Sequence, residues 1–189
     1  MKNRGCVMEI KSPDYDLTKE IIRSAIEVHK TIGPGLKEEV YEAALEWELQ
    51  QSGINVQRQV KCPVVYKGIK LNTHREDKSM DMLVEGRVVV ELKATPVMDP
   101  IFRAQCLTYV KMLGVKTGLV LNFGRVTLKE GIAHVINESR EECRRRLLRE
   151  SPQTFRALLI EEDGVSPEEA NRMQMAGDLG LAGKRACRA

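Results

Sequence analysis

The chain has 189 residues, 42% of them hydrophobic and 30% charged, which allows one ordinary domain with an extension and excludes wholesale disorder or two full domains. One Trp, four Tyr and three Phe make 4% aromatics, too few for base or sugar stacking to be the main binding mode. The net charge of +3, from 30 basic and 27 acidic residues, permits a nucleic-acid partner without demanding one.

Residues 1–16 read as a short polar lead-in. Thr18 is expected to cap a first helix, with Leu17 as its staple. Ile21, Ile22, Ala25, Ile26, His29 and Ile32 then recur at helical spacing until Gly33-Pro34-Gly35 interrupts them. A second helix is expected over 36–52, with Val40, Ala44 and Trp47 or Glu48 along one face, ending at Gly53. The period then changes to two. Short strands are expected over 56–60, 63–66 and 69–71, with Lys67-Gly68 as a turn and a polar loop over 73–79.

Residues 80–84 and 88–93 predict a hairpin about Glu85-Gly86-Arg87. Asp99-Pro100 has the chemistry of a helix start, and Gly114 that of its end. Two further strands are expected over 117–122 and 132–136. The order α-α-β-β-β-β-β-α-β-β describes an α/β or α+β domain over 17–137. Residues 138–189 carry ten basic and ten acidic residues and read as a partly helical extension with a disordered end. Within it, Arg144-Arg145-Arg146 is expected on a solvated helix face, and Ser166-Pro167-Glu168-Glu169 starts another helix.

The five cysteines (Cys6, Cys62, Cys106, Cys143 and Cys187) form no CxxC pair, so neither zinc nor a disulfide framework is expected. With no secretory leader and no apolar run near ~18 residues, the expected setting is cytoplasmic, without a membrane span.

Chemistry concentrates on the hairpin. A three-residue loop with Gly86 left-handed pairs Val84 with Val88 and Asp81 with Glu91. Alternation then gathers Met82, Val84, Val88, Val90 and Leu92 on one apolar face, and Asp81, Leu83, Val89, Glu91 and Lys93 on the other. Like charges opposite each other destabilise a sheet unless a cation lies between them. Two carboxylates with a carbonyl and water suit Mg²⁺ or Mn²⁺ rather than zinc. Lys93 would position or help deprotonate a water attacking a phosphodiester. The plainer alternative is a solvent-facing strand on which Glu91 and Lys93 pair with their neighbours. Glu38 alone reads equally as one exposed helix charge among several, Tyr41 as core packing, and Gln105 with Tyr109 as a helix surface pair.

Asp81 followed by nine residues and Glu91-Leu92-Lys93 resembles the core of the PD-(D/E)XK nuclease superfamily. Gly35-Leu36-Lys37-Glu38-Glu39-Val40-Tyr41 resembles the signature of its GxxExxY family. The similarity continues through residues 28–36, 64–68 and 81–94, Gln105 with Tyr109, and Leu121-Asn122-Phe123-Gly124. This resemblance implies a restriction-endonuclease-like core, a mixed β-sheet flanked by helices in αβββαβ order. It implies a Mg²⁺- or Mn²⁺-dependent nuclease acting on DNA or RNA, with Asp81, Glu91, the Leu92 carbonyl and Glu38 as metal ligands. Lys93 would be the catalytic lysine, supported by Gln105, Tyr109 and Tyr41. Gln105 and Tyr109 are similar to a motif of RecB-type nucleases. No iron–sulfur cluster is expected. Relatives carry R-x-D at the first carboxylate; here Arg75-Glu76-Asp77 falls four residues early, making Asp77 a rival to Asp81. The rival reading is a weakly active or inactive module on the same fold that binds nucleic acid or protein. A protein partner or self-association stays open.

Overall fold

The computed structural model describes residues 14–71 and 79–177, which fall into two compact units, 14–137 and 138–177. The first opens with α1 (Tyr15–Ile32), whose Ile21, Ala25 and Val28 are buried. Thr18 does not cap it. It lies one turn inside, with Oγ1 donating to Tyr15 O at 2.9 Å, and Asp14 holds the cap position. The Asp14 carboxylate reaches away from the helix, accepting from Arg87 Nε at 3.0 Å and Thr117 Oγ1 at 2.7 Å. It thus ties the helix start to the sheet.

α2 (Glu38–Gln51) turns Tyr41, Glu42, Leu45 and Leu49 inward. The expected face was displaced, since Val40 and Trp47 are 38% and 58% exposed. Both stripes carry apolar residues, and the sheet selects the one with two leucines and a tyrosine whose hydroxyl finds partners.

Five strands build the main sheet: β1 (Val56–Lys61), β4 (Ser79–Val84), β5 (Val88–Lys93), β6 (Thr117–Asn122) and β7 (Ile132–Ile136), in the order β1-β4-β5-β6-β7. Between β1 and β4 in sequence, β2 (Val65–Tyr66) and β3 (Ile69–Lys70) form a separate two-stranded ribbon. Only the β5–β6 pair is parallel, because α3 (Pro100–Leu113) carries the chain back across the sheet. That helix begins as expected. Asp99 accepts from Ile101 N with Pro100 in the first turn, and Gly114 ends it at φ 68°.

The apolar face predicted for the hairpin is the buried one. Met82, Val84, Val88, Val90 and Leu92 pack with Leu119 and Leu121 against α1 and α2. On the other side, Val89, Val120, Ala133 and Val135 meet Cys106, Tyr109 and Val110 of α3. The order α2-β1-β4-β5-α3-β6 is αβββαβ, a mixed sheet flanked by helices on both faces, consistent with the PD-(D/E)XK nuclease fold.

The second unit comprises α4 (Arg140–Glu150), α5 (Pro152–Asp163) and α6 (Pro167–Ala176) around Leu147, Phe155, Leu159 and Ala170. Ser139 and Glu142 form a capping box, and Ser166 caps α6. The arginine run is not a solvated face. Arg144 and Arg146 are 1% and 5% exposed, and Arg146 forks onto Glu138 with bonds of 2.8 and 2.9 Å. Arg145 is exposed and pairs with Glu141.

Candidate active site

The turn that sets the hairpin register uses two left-handed residues, Glu85 at φ 51° and Gly86 at φ 63°, with Arg87 N donating to Val84 O. Val84 therefore faces Val88, as the spacing predicts. The pairing stops at Met82 and Val90, short of the expected Asp81–Glu91 rung. On the other edge of β4 the register skips the Gln59–Asp81 position as well. The cause is local. Gln59 adopts φ 48°, outside strand geometry, and the Asp81 side chain takes over as a main-chain partner, Oδ2 accepting from Leu92 N at 2.7 Å. The lapse in pairing at Asp81 thus leaves its carboxylate to reach across to β5.

Glu91, Leu92 and Lys93 end β5 beside it. Lys93 Nζ donates to Leu92 O at 2.8 Å and lies 3.3 Å from Glu91 Oε2 and 3.8 Å from Asp81 Oδ2. Phe102 of α3 offers its ring to the same ammonium at 5.7 Å. Glu38, the first residue of α2, accepts from Ala94 N at 3.2 Å and so reaches the backbone just past Lys93. Elements distant in sequence bring together Glu38, Asp81, Glu91 and Lys93.

Charge is unbalanced there. Glu91 is 1% exposed, and burial first, then the Asp81 charge, push its carboxyl up to about 7 against the opposing pull of Lys93. Burial also raises Asp81; the Leu92 amide and Lys93 oppose this, while Glu42 and Glu38 add to it. Glu91 Oε1 is buried with no hydrogen-bond partner among the described residues. One lysine does not neutralise this group of carboxylates, and an orphaned buried oxygen calls for a proton or a cation. The oxygen donors suit a hard divalent ion. Among the described residues no three His, Cys, Asp or Glu side chains close into a metal cage by themselves, and the Lys93 ammonium lies among the oxygens expected to hold one.

The supporting residues divide. Tyr109 is only 4% exposed, so it is no surface residue; its hydroxyl donates to Ser79 O at 3.1 Å, two residues before Asp81. Its acidity is lowered chiefly by burial, opposed by a hydrogen bond with the exposed Gln105. Tyr41 does not enter the carboxylate group. Its hydroxyl donates to Gly33 O at 2.7 Å and accepts from Leu36 N at 3.1 Å, while its ring stacks on Phe123. It fixes the turn through Gly35, left-handed at φ 107°, and thereby the start of α2 at Glu38. His29 is buried against Phe123 and bonded to Arg125 O, away from the carboxylates. Asp77 lies outside the described residues.

Three contributors were given no site role by the sequence reading. Glu42, one turn beyond Glu38, is 5% exposed and bonds Arg58 Nε at 2.8 Å and Gln59 Nε2 at 3.0 Å. Only its i, i+4 spacing from Glu38 hinted at a shared face. Gln59 also accepts from Ser79 Oγ at 2.7 Å. Asn122, fully buried, accepts from Thr95 N and Gly124 N, both at 3.0 Å, and fixes the loop after Lys93. A cleft of about 540 Å³, lined by Lys37, Glu38, Glu42, Gln59, Asp81 and Ala94, opens onto this group.

No curated protein and no solved structure matches the chain. A family model does, over residues 15–135, and that span holds α1 through β7 nearly to its end, including Asp81 of β4 and the Glu91-Leu92-Lys93 terminus of β5. By that match, the chain belongs to the PD-(D/E)XK nuclease superfamily.

Proposed function

We propose that the chain is a Mg²⁺- or Mn²⁺-dependent nuclease of the GxxExxY type that hydrolyses phosphodiester bonds of DNA or RNA. One observation carries this reading: Asp81, Glu91, the Leu92 carbonyl and Lys93 lie together at the edge of an open cleft, and one buried Glu91 oxygen has no hydrogen-bond partner among the described residues. Asp81, Glu91 and the Leu92 carbonyl would hold the ion, with Glu38 beside them. When bound, it would polarise the scissile phosphate and acidify the attacking water.

The chain's own groups do the rest. Lys93 Nζ orients the nucleophile and offsets charge developing on the phosphate. Phe102 and the end of β5 hold that ammonium in place. Asp81, locked to Leu92 N, keeps one carboxylate oxygen directed without a rotamer search. Burial of Glu91 keeps water from competing for its oxygens.

The position of Lys93 among the three oxygens also favours a second reading, a module that binds without cutting because the internal ion pair is permanent. The two separate on one substitution. Lys93→Ala should fold normally, since Val90 and Leu92 hold the core, and should lower cleavage of a labelled DNA and RNA panel by about 10²-fold or more. A wild type that cuts nothing above the Lys93→Ala level with either metal would leave the binding module.

A further inference from the structure

The β2–β3 ribbon takes no part in the cleft described above. Among the described residues its strands pair only with each other, and a two-stranded ribbon has little stability of its own in water. It nevertheless exposes large apolar side chains: Val65 is 58%, Tyr66 60% and Ile69 67% exposed. Clustered exposure of this kind marks an interaction surface.

Charge defines the partner. From Lys61 to Leu71 the sequence holds three lysines, Lys61, Lys67 and Lys70, and no acidic residue. Lys67 Nζ lies 5.4 Å from the centre of the Tyr66 ring, so cation and aromatic face form one patch. The cleft itself is lined by four carboxylates, Glu38, Glu39, Glu42 and Asp81, against one lysine, Lys37, an acid excess that repels a polyanion. Attraction for phosphate has to come from beside it.

Topology puts the ribbon in that place. Lys61 ends β1 opposite Ser79, the first residue of β4, and Asp81 follows two residues later. Antiparallel pairing sets this start of β4 against the end of β5, where Glu91 and Lys93 lie. The ribbon therefore leaves the sheet at the end of the strands that carries the carboxylates.

We infer that the β2–β3 ribbon grips a single-stranded segment of nucleic acid, with Tyr66 stacking on an unpaired base while Lys67 and Lys70 hold neighbouring phosphates. A lone exposed ring finds a free base face on a single strand and not inside a duplex. The inference rests on the nuclease reading of the adjacent cleft and deepens it by naming the form of the substrate.

Fluorescence anisotropy of the full chain in EDTA tests it, with a labelled mixed-sequence single strand as DNA and as RNA, and the corresponding duplex. The single strands should bind more tightly than the duplex. Tyr66→Ala should weaken single-strand binding by about 10-fold, and Tyr66→Phe, which keeps the ring, should not. Lys67→Ala with Lys70→Ala should flatten the slope of log affinity against log salt by about 1.4. All three side chains are exposed, so melting temperatures should stay at the wild-type value. Equal binding by the variants overturns the inference, as does absence of wild-type binding or a preference for duplex. So does a dimer that Val65→Ser with Ile69→Ser splits while nucleic-acid binding is unchanged, which assigns the face to a second copy. If the ribbon variants bind weakly but the wild type cuts nothing with Mg²⁺ or Mn²⁺, the ribbon inference stands and the nuclease reading falls. If the wild type cuts and the ribbon variants keep its KM, the reverse holds.

Discussion

A carboxylate buried beside Asp81, as Glu91 is, needs more than the Lys93 ammonium to keep its charge. Its pKa rises from 4.5 to about 7 on folding, so between those values the unfolded chain ionises this group while the folded chain keeps it protonated. The unfolded state then binds fewer protons, and stability falls as pH rises through the window. At about 1.4 kcal/mol per pKa unit, the loss is on the order of 3 kcal/mol, complete just above pH 7. In EDTA, thermal unfolding should therefore show a lower melting temperature at pH 8 than at pH 5, and Glu91→Gln should flatten most of that slope. A slope unchanged by Glu91→Gln would mean that another group carries it. The same imbalance predicts that Mg²⁺ or Mn²⁺ raises the wild-type melting temperature and that Asp81→Asn removes most of the gain. Asp77→Ala should leave the gain intact. If Asp77→Ala abolishes the metal response and Asp81→Asn does not, the ligand is Asp77.

At the scale of single elements, β4 does most to make the site, and it does so by departing from ideal pairing. Gln59 at φ 48° opposes Asp81, and the ladder lapses at that position on both edges of β4. A non-glycine residue in this region is disfavoured by about 1–2 kcal/mol through its Cβ. Gln59→Gly should therefore be more stable than Gln59→Ala by about 1 kcal/mol, while both lose the amide that joins Glu42 to Ser79. Urea unfolding of the pair checks this; equal stabilities would mean that the backbone there carries no strain. None of it is legible in the sequence, because Gln59-Val60-Lys61 continues an ordinary strand pattern and the left-handed Gln59 is held by tertiary partners. The element order was legible, since turns such as Lys67-Gly68, Glu85-Gly86 and Asp99-Pro100 state their own geometry. So was the buried hairpin face, where five apolar residues alternate without exception. Helix faces were harder. α2 offers two apolar stripes, and only the sheet decides between Trp47 and Leu45. Burial of Arg146 ran against composition because Glu138, lying outside α4, supplies a forked partner that charge counting does not see.

At the scale of the whole chain, each compact unit has its own core. Glu91, Asp81 and Lys93 draw on the sheet's two apolar layers, whereas Leu147, Phe155, Leu159 and Ala170 form the core of the helical unit. No described helix is long and apolar enough to cross a membrane. The core of the helical unit is small, and small cores have little reserve. Phe155 is fully buried at its centre, and truncating such a ring removes about 3–5 kcal/mol. Phe155→Ala should therefore unfold α4, α5 and α6 at moderate temperature. The sheet unit should keep its own transition, its metal-induced rise in melting temperature and any cleavage that depends on Lys93. Hydrogen exchange resolved by segment reads both halves at once: rapid exchange over residues 138–177 with protection retained across β4, β5 and β6 is the expected result. Simultaneous loss of protection in both regions would show that the sheet needs the helical unit to fold.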